Sequence, residues 1–198
     1  IGDDGNNILE GGAGNDTIDG GLGTDTISGD TGSNTLIGGD GVDTLAYSNA
    51  RGPVSVDLSA GPAFTPSGVD TFSGFENLIG SAYFDVLVGD ANGNVISGNA
   101  GGDNINGNGG ADTVHGGAGN DTFVFESSGQ LTVADFKSGG ASDILRLVLG
   151  EDFDSFEEVI AVATTTAGNT LFQFAGTDTL TLTGVDKASL ASSDFYFF

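Results

Sequence analysis

Residues 98–124 read GNAGGDNIN-GNGGADTVH-GGAGNDTFV, three copies of one nine-residue unit. Each copy begins with glycine, has aspartate at its sixth position and has an apolar residue at its eighth. The same frame extends back to residue 80, so five units cover 80–124, and a second array of five units covers 2–46. In all ten units position 1 is glycine and position 8 is Leu, Ile, Val or Phe. Glycine-rich composition alone does not keep one frame this long, so the repeat is a structural unit.

The order of residues within a unit predicts a turn followed by a short strand. Positions 1 to 6 are rich in Gly, Asn and Asp, which tolerate positive φ and bond to their own backbone. Positions 7 to 9, such as Thr17-Ile18-Asp19, form a strand whose middle side chain points inward. Two units make one coil, so each unit should stack on the unit 18 residues later, with strands about 4.8 Å apart.

This stacking brings acidic side chains together. Position 6 is Asp in seven units and Asn in three. Two carboxylates about 5 Å apart repel each other by roughly 3 kcal/mol at an effective dielectric constant near 20. A divalent cation that accepts six to eight oxygen ligands would relieve this repulsion, and calcium tolerates the flexible geometry better than magnesium does. The alternative is that these Asp and Asn residues only favour turns, but ordinary turns require no nine-residue period.

The repeat strongly resembles that of the RTX (repeats-in-toxin) family of secreted bacterial proteins, over about half of the chain. The resemblance implies an all-β fold, a parallel β-roll in the form of a right-handed solenoid. It also implies about six or more Ca²⁺ ions between stacked turns, bound by position-6 side chains and turn carbonyls. The implied stacked pairs are Asn7/Asp25, Asp16/Asn34, Asp25/Asp43, Asp85/Asp103, Asn94/Asp112 and Asp103/Asp121. The implied ligands further include Gly11, Gly14, Gly20, Gly23, Gly98, Gly107, Gly110, Gly116 and Gly119. Pairs that contain Asn should bind more weakly.

Composition excludes several other classes of function. The net charge is −24 with only four basic residues, so nucleic acid is not an expected partner and folding should require cations. There is no cysteine and a single histidine, His115, which argues against disulfides, a zinc site or a His-based catalytic triad. No apolar run is long enough to cross a membrane. Paired carboxylates also occur in glycosidases, but their strict repetition here favours structural ion binding.

Residues 47–79 interrupt the repeat. Alternation of Val54, Val56 and Leu58 with polar residues predicts a half-buried strand, and the frame returns around Asp70, a further candidate ligand. We expect an insert that packs on the roll, because repeats flank it and it is rich in apolar residues. The alternative is a linker between two separate rolls.

The composition changes after Val124, where a phenylalanine-rich segment predicts a conventional core. We expect residues 125–198 to form a β-rich cap with strand pairs and one short helix within 155–165, which has acids in its first turn. Such a cap would cover the open edge of the roll. Asp135 and Asp143 either add a last calcium site or only serve a turn, and the sequence leaves both alternatives open.

The closing stretch DTLTLTGVDKASLASSDFYFF resembles the uncleaved targeting end of type I secreted RTX proteins. We therefore expect an extracellular, monomeric module that interacts with the type I secretion machinery and folds when it meets calcium. The chain has no methionine and starts at Ile1, so we expect it to be part of a larger protein. The alternative is an adhesion, surface-assembly or polysaccharide-binding module. No catalytic residue is identified, and any catalytic domain is expected in a preceding portion.

Overall fold

The computed structural model describes residues 1–126, 129–139, 142–149 and 153–198, which form two ten-stranded sheets. The first sheet contains, in spatial order, β1 (Ile8–Glu10), β3 (Thr26–Ser28), β5 (Thr44–Ala46), β9 (Asn77–Ile79), β11 (Val95–Ser97), β13 (Gly110–His115), β15 (Gly129–Val133), β19 (Thr179–Leu182), β18 (Asn169–Gln173) and β17 (Ala163–Thr166). The second contains β2 (Thr17–Gly23), β4 (Thr35–Gly41), β8 (Gly68–Ser73), β7 (Ala63–Thr65), β6 (Ser55–Asp57), β10 (Val86–Val88), β12 (Asn104–Asn106), β14 (Thr122–Glu126), β16 (Ile144–Val148) and β20 (Phe195–Phe197).

Strands within each repeat array pair in parallel with an 18-residue offset. Leu9 pairs with Ile27 in the first sheet, and Ile105 pairs with Phe123 in the second. Successive units alternate between the two sheets, as a coil of two units requires. The parallel β-roll predicted from the repeats is therefore confirmed.

The position-8 side chains form the core between the two sheets. Ile27, Ile105 and Phe123 are completely buried, and one hydrophobic cluster includes position-8 residues from both sheets. At the outer coil Leu9 is only partly buried, because no further coil covers it among the described residues. The core is a single layer of side chains from each sheet, so it buries little apolar surface per residue.

Both sheets run without interruption across residues 47–79. In the first sheet, β9 alone lies between β5 and β11 and pairs in parallel with both. In the second sheet, β8 pairs in parallel with β4, β7 lies antiparallel between β8 and β6, and β6 pairs in parallel with β10. The insert therefore adds three strands, β6 to β8, to the second sheet and one strand, β9, to the first. The proposed division of the chain at 46, 79 and 124 remains a prediction.

The C-terminal segment continues both sheets and forms the last strands of each. β15 and β16 extend the first and second sheets respectively, and β17 to β19 form an antiparallel meander at the end of the first. The single described α-helix, α1 (Phe156–Ala161), begins after Ser155, whose side chain accepts a hydrogen bond from Glu158 N–H. The helix is shorter than the 155–165 pattern suggests, because the chain enters β17 at Ala163.

Aromatic packing distinguishes this end from the repeats. Phe195, in the terminal strand β20, lies 5.4 Å from Phe156 and 6.1 Å from Phe172, measured between ring centroids. Phe125 and Phe174 stack at 5.2 Å. A conventional core therefore replaces the thin aliphatic core of the arrays. None of the described helices is long and apolar enough to cross a membrane.

Candidate metal centre

The position-6 side chains form a ladder of hydrogen bonds along the roll. In each of the six stacked pairs, the backbone N–H of one position-6 residue donates to the side-chain Oδ1 of the position-6 residue 18 places later. The donor and acceptor pairs are Asn7 and Asp25 (2.8 Å), Asp16 and Asn34 (3.0 Å), Asp25 and Asp43 (2.8 Å), Asp85 and Asp103 (2.8 Å), Asn94 and Asp112 (2.9 Å), and Asp103 and Asp121 (2.9 Å). The structure thus brings these residues together, and one oxygen of each acceptor is satisfied.

The second carboxylate oxygen is different. Within the described part of the chain, six aspartates have a buried Oδ2 atom with no hydrogen-bond partner: Asp16, Asp25, Asp43, Asp103 and Asp121 at position 6 of the two arrays, and Asp70 in the insert. An unpaired buried charge is costly, and in native proteins such groups are normally paired or coordinate a metal. The repeated orphan oxygen therefore indicates a site that suits a positive ion at each of these turns.

Backbone carbonyls converge on the same places. A Cβ atom built on Gly20 would lie 2.3 Å from Asp25 Oδ2 and 2.3 Å from the Gly38 carbonyl oxygen. On Gly98 it would lie 2.3 Å from Asp103 Oδ2 and 2.8 Å from the Gly116 carbonyl oxygen. The position-1 glycine thus leaves open a space that a carboxylate and a carbonyl from the next coil share.

Position 4 requires glycine for a separate reason. Gly119 has a φ of 139°, and a Cβ there would lie 1.3 Å from the Gly101 carbonyl oxygen of the preceding coil. Gly14, Gly23 and Gly110 also have positive φ angles at this position. The stacked turns therefore approach each other backbone to backbone, which brings carbonyl oxygens toward the column of carboxylates.

In the second array, burial and neighbouring charges disfavour the ionised form of the position-6 carboxylates. Burial, together with the charges of Asp85 and Asp121, raises the pKa of Asp103 to about 7. Burial raises the pKa of Asp112 to about 6. Burial also raises the pKa of Asp121, and the positive charge of Lys137 partly offsets this rise. At neutral pH the ionised carboxylates in this column gain from any cation that approaches them.

These residues fit a hard cation with oxygen ligands. No three Asp, Glu, His or Cys side chains converge on one point in the described ranges, so carbonyls must supply most of the coordination. Mixed carboxylate and carbonyl coordination suits Ca²⁺. The ion would be held by the orphan Oδ2 atoms and by turn carbonyls such as those of Gly20, Gly23, Gly107 and Gly110. That each of these residues binds an ion remains a prediction.

The insert changes the ladder in ways that the repeat pattern does not reveal. Asn34 N–H donates to Asp70 Oδ1 across 36 residues (2.7 Å). Burial, together with the charge of the Asp70 carboxylate, raises the pKa of Tyr47. Asp43 N–H donates to Glu76 Oε2 at 2.8 Å. Glu76 precedes Asn77-Leu78-Ile79, the strand of the shortened unit, so alignment of that strand to positions 7 to 9 would have identified it. Ser81 bonds to both oxygens of Asp85 and had no signal in the sequence.

Asp135 and Asp143, the two candidates after the last repeat, use both carboxylate oxygens on backbone N–H groups. Asp135 accepts from Gly116 N–H (2.9 Å) and Gly117 N–H (2.8 Å). Asp143 accepts from Asp121 N–H (3.0 Å) and Lys137 N–H (2.9 Å). Their environment therefore differs from that of the orphan oxygens within the arrays.

Comparison with known proteins agrees with this geometry. The sequence model of the RTX calcium-binding nonapeptide repeat matches four times, at residues 1–36, 19–49, 70–103 and 88–123. Together the matches cover just over half of the chain. The chain belongs to the RTX repeat family. It is thus a calcium-binding β-roll module, and proteins with RTX repeats are typically secreted. No curated protein sequence matches the chain significantly.

Two solved structures are similar to parts of the chain. The crystal structure of the extracellular lipase LipA from Serratia marcescens is 22% identical with a TM-score of 0.37, and the match covers 98% of this chain and 39% of the lipase. The solution structure of a subunit from the Azotobacter vinelandii mannuronan C5-epimerase is 21% identical with a TM-score of 0.49, and covers 61% of this chain and 76% of that one. The chain therefore spans about two fifths of the length of the lipase.

Replacing Gly20 with alanine should destabilise the roll, because the new Cβ would overlap both Asp25 Oδ2 and the Gly38 carbonyl. Overpacking against fixed backbone costs about 1 to 3 kcal/mol. The free energy of unfolding in calcium should fall by that amount, measured by urea denaturation. Gly5→Ala is the matched control, since a Cβ there meets only the exposed Asp3 carboxylate at 3.2 Å. Equal stability of the two variants would contradict this account of position 1.

Proposed function

We propose that the chain is a calcium-dependent folding and export module of a larger secreted protein, with a type I secretion signal at its C-terminal end. The observation that carries the proposal is the set of six buried, unpartnered Oδ2 atoms among the described residues, five at position 6 of the arrays and one on Asp70, where the repeat frame returns. Bound calcium would supply positive charge at these turns and accept the carboxylate and carbonyl oxygens as ligands. Calcium-dependent folding would keep the chain extended where calcium is scarce and compact it where calcium is abundant.

The properties of the chain support each step of this proposal. Before calcium binds, 28 acidic residues face only four basic ones, so self-repulsion favours an expanded chain suited to passage through a channel. After calcium binds, the Oδ1 ladder and the position-8 core can form together, because each uses the same 18-residue register. About six ions, at the stacked pairs of the two arrays, would suffice for this coupling.

We also propose that the module has no catalytic activity of its own. Its acidic residues are committed to a repeated column, and the single histidine, His115, lies on β13 at position 9 of its unit. Any enzymatic activity would then belong to another portion of the parent protein. The module would act outside the cell as a monomer.

Counting bound ions tests the calcium part of this proposal. Native mass spectrometry in calcium should show about six ions, and Asp121→Asn should lose at least one, since Asp121 has an orphan Oδ2. Asp40→Asn removes the same charge at an exposed position and should leave the count unchanged. Magnesium at the same concentration should give a lower count, because it demands a stricter octahedral geometry. A wild-type chain that binds no calcium would disprove the proposal.

A second candidate function is binding to a polysaccharide. An open groove on the second sheet is lined by Pro53, Phe64, Pro66 and Phe84, and both phenylalanines are more than half exposed. Residues 47–69 around it carry one acidic and one basic residue, so this region is nearly neutral. Aromatic rings on a neutral surface could stack against sugar rings. Binding of the calcium-loaded chain on a glycan array, lost in a Phe64→Ala variant, would favour this function.

A further inference from the structure

The last turn of the second array is followed by the connection between β15 and β16, which does not have the repeat sequence, and side chains of this connection replace contacts that a repeat turn would make through its backbone. Elsewhere in the roll, the position-1 N–H donates to a backbone carbonyl of the next coil, as Gly98 N–H does to the His115 carbonyl (2.9 Å). At the last unit, the N–H groups of Gly116 and Gly117 donate instead to the Asp135 carboxylate. A side chain thus takes the acceptor role of backbone.

The donor role is replaced as well. In regular coils the position-2 carbonyl accepts a backbone N–H from the next coil, as the Asn99 carbonyl does from Ala118 (2.8 Å). At the last unit the Gly117 carbonyl accepts from the Lys137 ammonium group. This places a fixed positive charge at the end of the turn column, where Asp121 also lies within its influence.

Asp143 takes the place of a position-6 residue at this end of the ladder. It occupies the ladder place that follows Asp121, because its Oδ1 accepts from Asp121 N–H. Its Oδ2, however, accepts from Lys137 N–H and is not among the orphan oxygens of the described residues. An oxygen already bonded to an N–H has less capacity for a metal ion.

We propose that Asp135, Lys137 and Asp143 close the last turn as an ion-free cap, in which the Lys137 ammonium supplies the positive charge that calcium supplies between the other turns. The inference refines the proposed function, since it locates where calcium binding stops. It also assigns Asp135 and Asp143 to the cap and removes them from the candidate calcium ligands.

Native mass spectrometry and amide hydrogen exchange across a calcium titration test this assignment in the full chain. Lys137→Gln should bind one more calcium ion, or should raise the calcium concentration that half-protects the Gly116 and Gly117 amides by at least about tenfold, because a charged hydrogen bond is lost. Lys137→Arg keeps the charge and should match the wild type. Asp135→Asn should leave the ion count unchanged.

Lys187→Gln is the matched control, because the Lys187 ammonium also donates to a backbone carbonyl, that of Ala163 (2.9 Å), away from the acidic column. The inference is wrong if Lys137→Gln and Lys187→Gln give the same ion count and the same midpoint, or if Asp135→Asn loses one ion. If the wild type binds no calcium, the proposed function fails first. The cap is then judged in chelator, where only Lys137→Gln should lower the protection of Gly116 and Gly117.

Discussion

In excess chelator the chain should lose most of its β-structure and expand. Each site at a calcium concentration ten times its Kd adds roughly 1.4 kcal/mol, so about six sites add about 8 kcal/mol. This is comparable to the whole stability of a typical domain, about 5 to 15 kcal/mol. Far-UV circular dichroism and the hydrodynamic radius, measured in chelator and in millimolar calcium, check the expectation.

The structure explains why the roll should depend on calcium to this extent. Residues 2–46 contain no aromatic residue, and their core is one aliphatic side chain deep from each sheet. The stabilisation from this small core is opposed by the cost of burying three Oδ2 atoms without a partner, those of Asp16, Asp25 and Asp43. Hydrogen exchange should therefore show the first array opening at higher calcium concentrations than the phenylalanine-rich C-terminal segment.

Two controls make this result decisive. Magnesium in place of calcium should restore little of the β-structure, because it retains water and fits a flexible site poorly. Monovalent salt at the same ionic strength should also restore little, since it screens charge without coordinating the orphan oxygens. Equal β-content in chelator and in calcium would show that the roll folds without the ion, and the export proposal would lose its basis.

Sequence periodicity predicts the repeated parts of this fold because every unit meets the same surroundings. An 18-residue offset follows from the nine-residue frame, and with it the contacts of Asp103 with Asp85 and Asp121. For the same reason the sequence predicts which repeat positions supply candidate ligands, namely the position-6 side chains and the turn glycines. What a fixed frame cannot predict is which of two carboxylate oxygens is left without a partner.

The remaining features arise where the frame breaks. The antiparallel strand β7 and the electrostatic interaction of Tyr47 with Asp70 depend on how the insert folds back, which no local pattern encodes. Ser81 satisfies Asp85 from four residues away, and Lys137 reaches the Gly117 carbonyl from the cap. Each of these contacts occurs once in the fold and depends on tertiary structure, so no repeated sequence pattern predicts it.

Acidification should stabilise the calcium-free chain. The pKa of Asp103 rises from 3.8 to about 7 in the folded state, and that of Asp112 rises to about 6, because both are buried without a cation. The folded chain therefore binds more protons than the unfolded chain between about pH 4 and pH 7. Its stability is greatest at the acidic end of this window and falls as the pH rises. In chelator, β-content should be higher at pH 5 than at pH 8.

Calcium binding should show the opposite dependence, since protons and calcium compete for the same carboxylates. The calcium concentration at the folding midpoint should fall as the pH rises from 5 to 8. Asp103→Asn separates the two effects, because asparagine keeps an Oδ1 acceptor for Asp85 N–H and removes the buried charge. At pH 8 the variant should be more stable than the wild type in chelator, by up to about 3 kcal/mol, and less stable in calcium.

Asp40→Asn controls for net charge, because it removes one exposed carboxylate and leaves the column intact. It should keep the wild-type pH dependence in chelator, whereas Asp103→Asn should flatten it. A chelated chain that is more stable at pH 8 than at pH 5 would mean that the buried carboxylates are not destabilising in their ionised form. The orphan oxygens would then need no cation, and the physical reason for calcium-dependent folding would disappear.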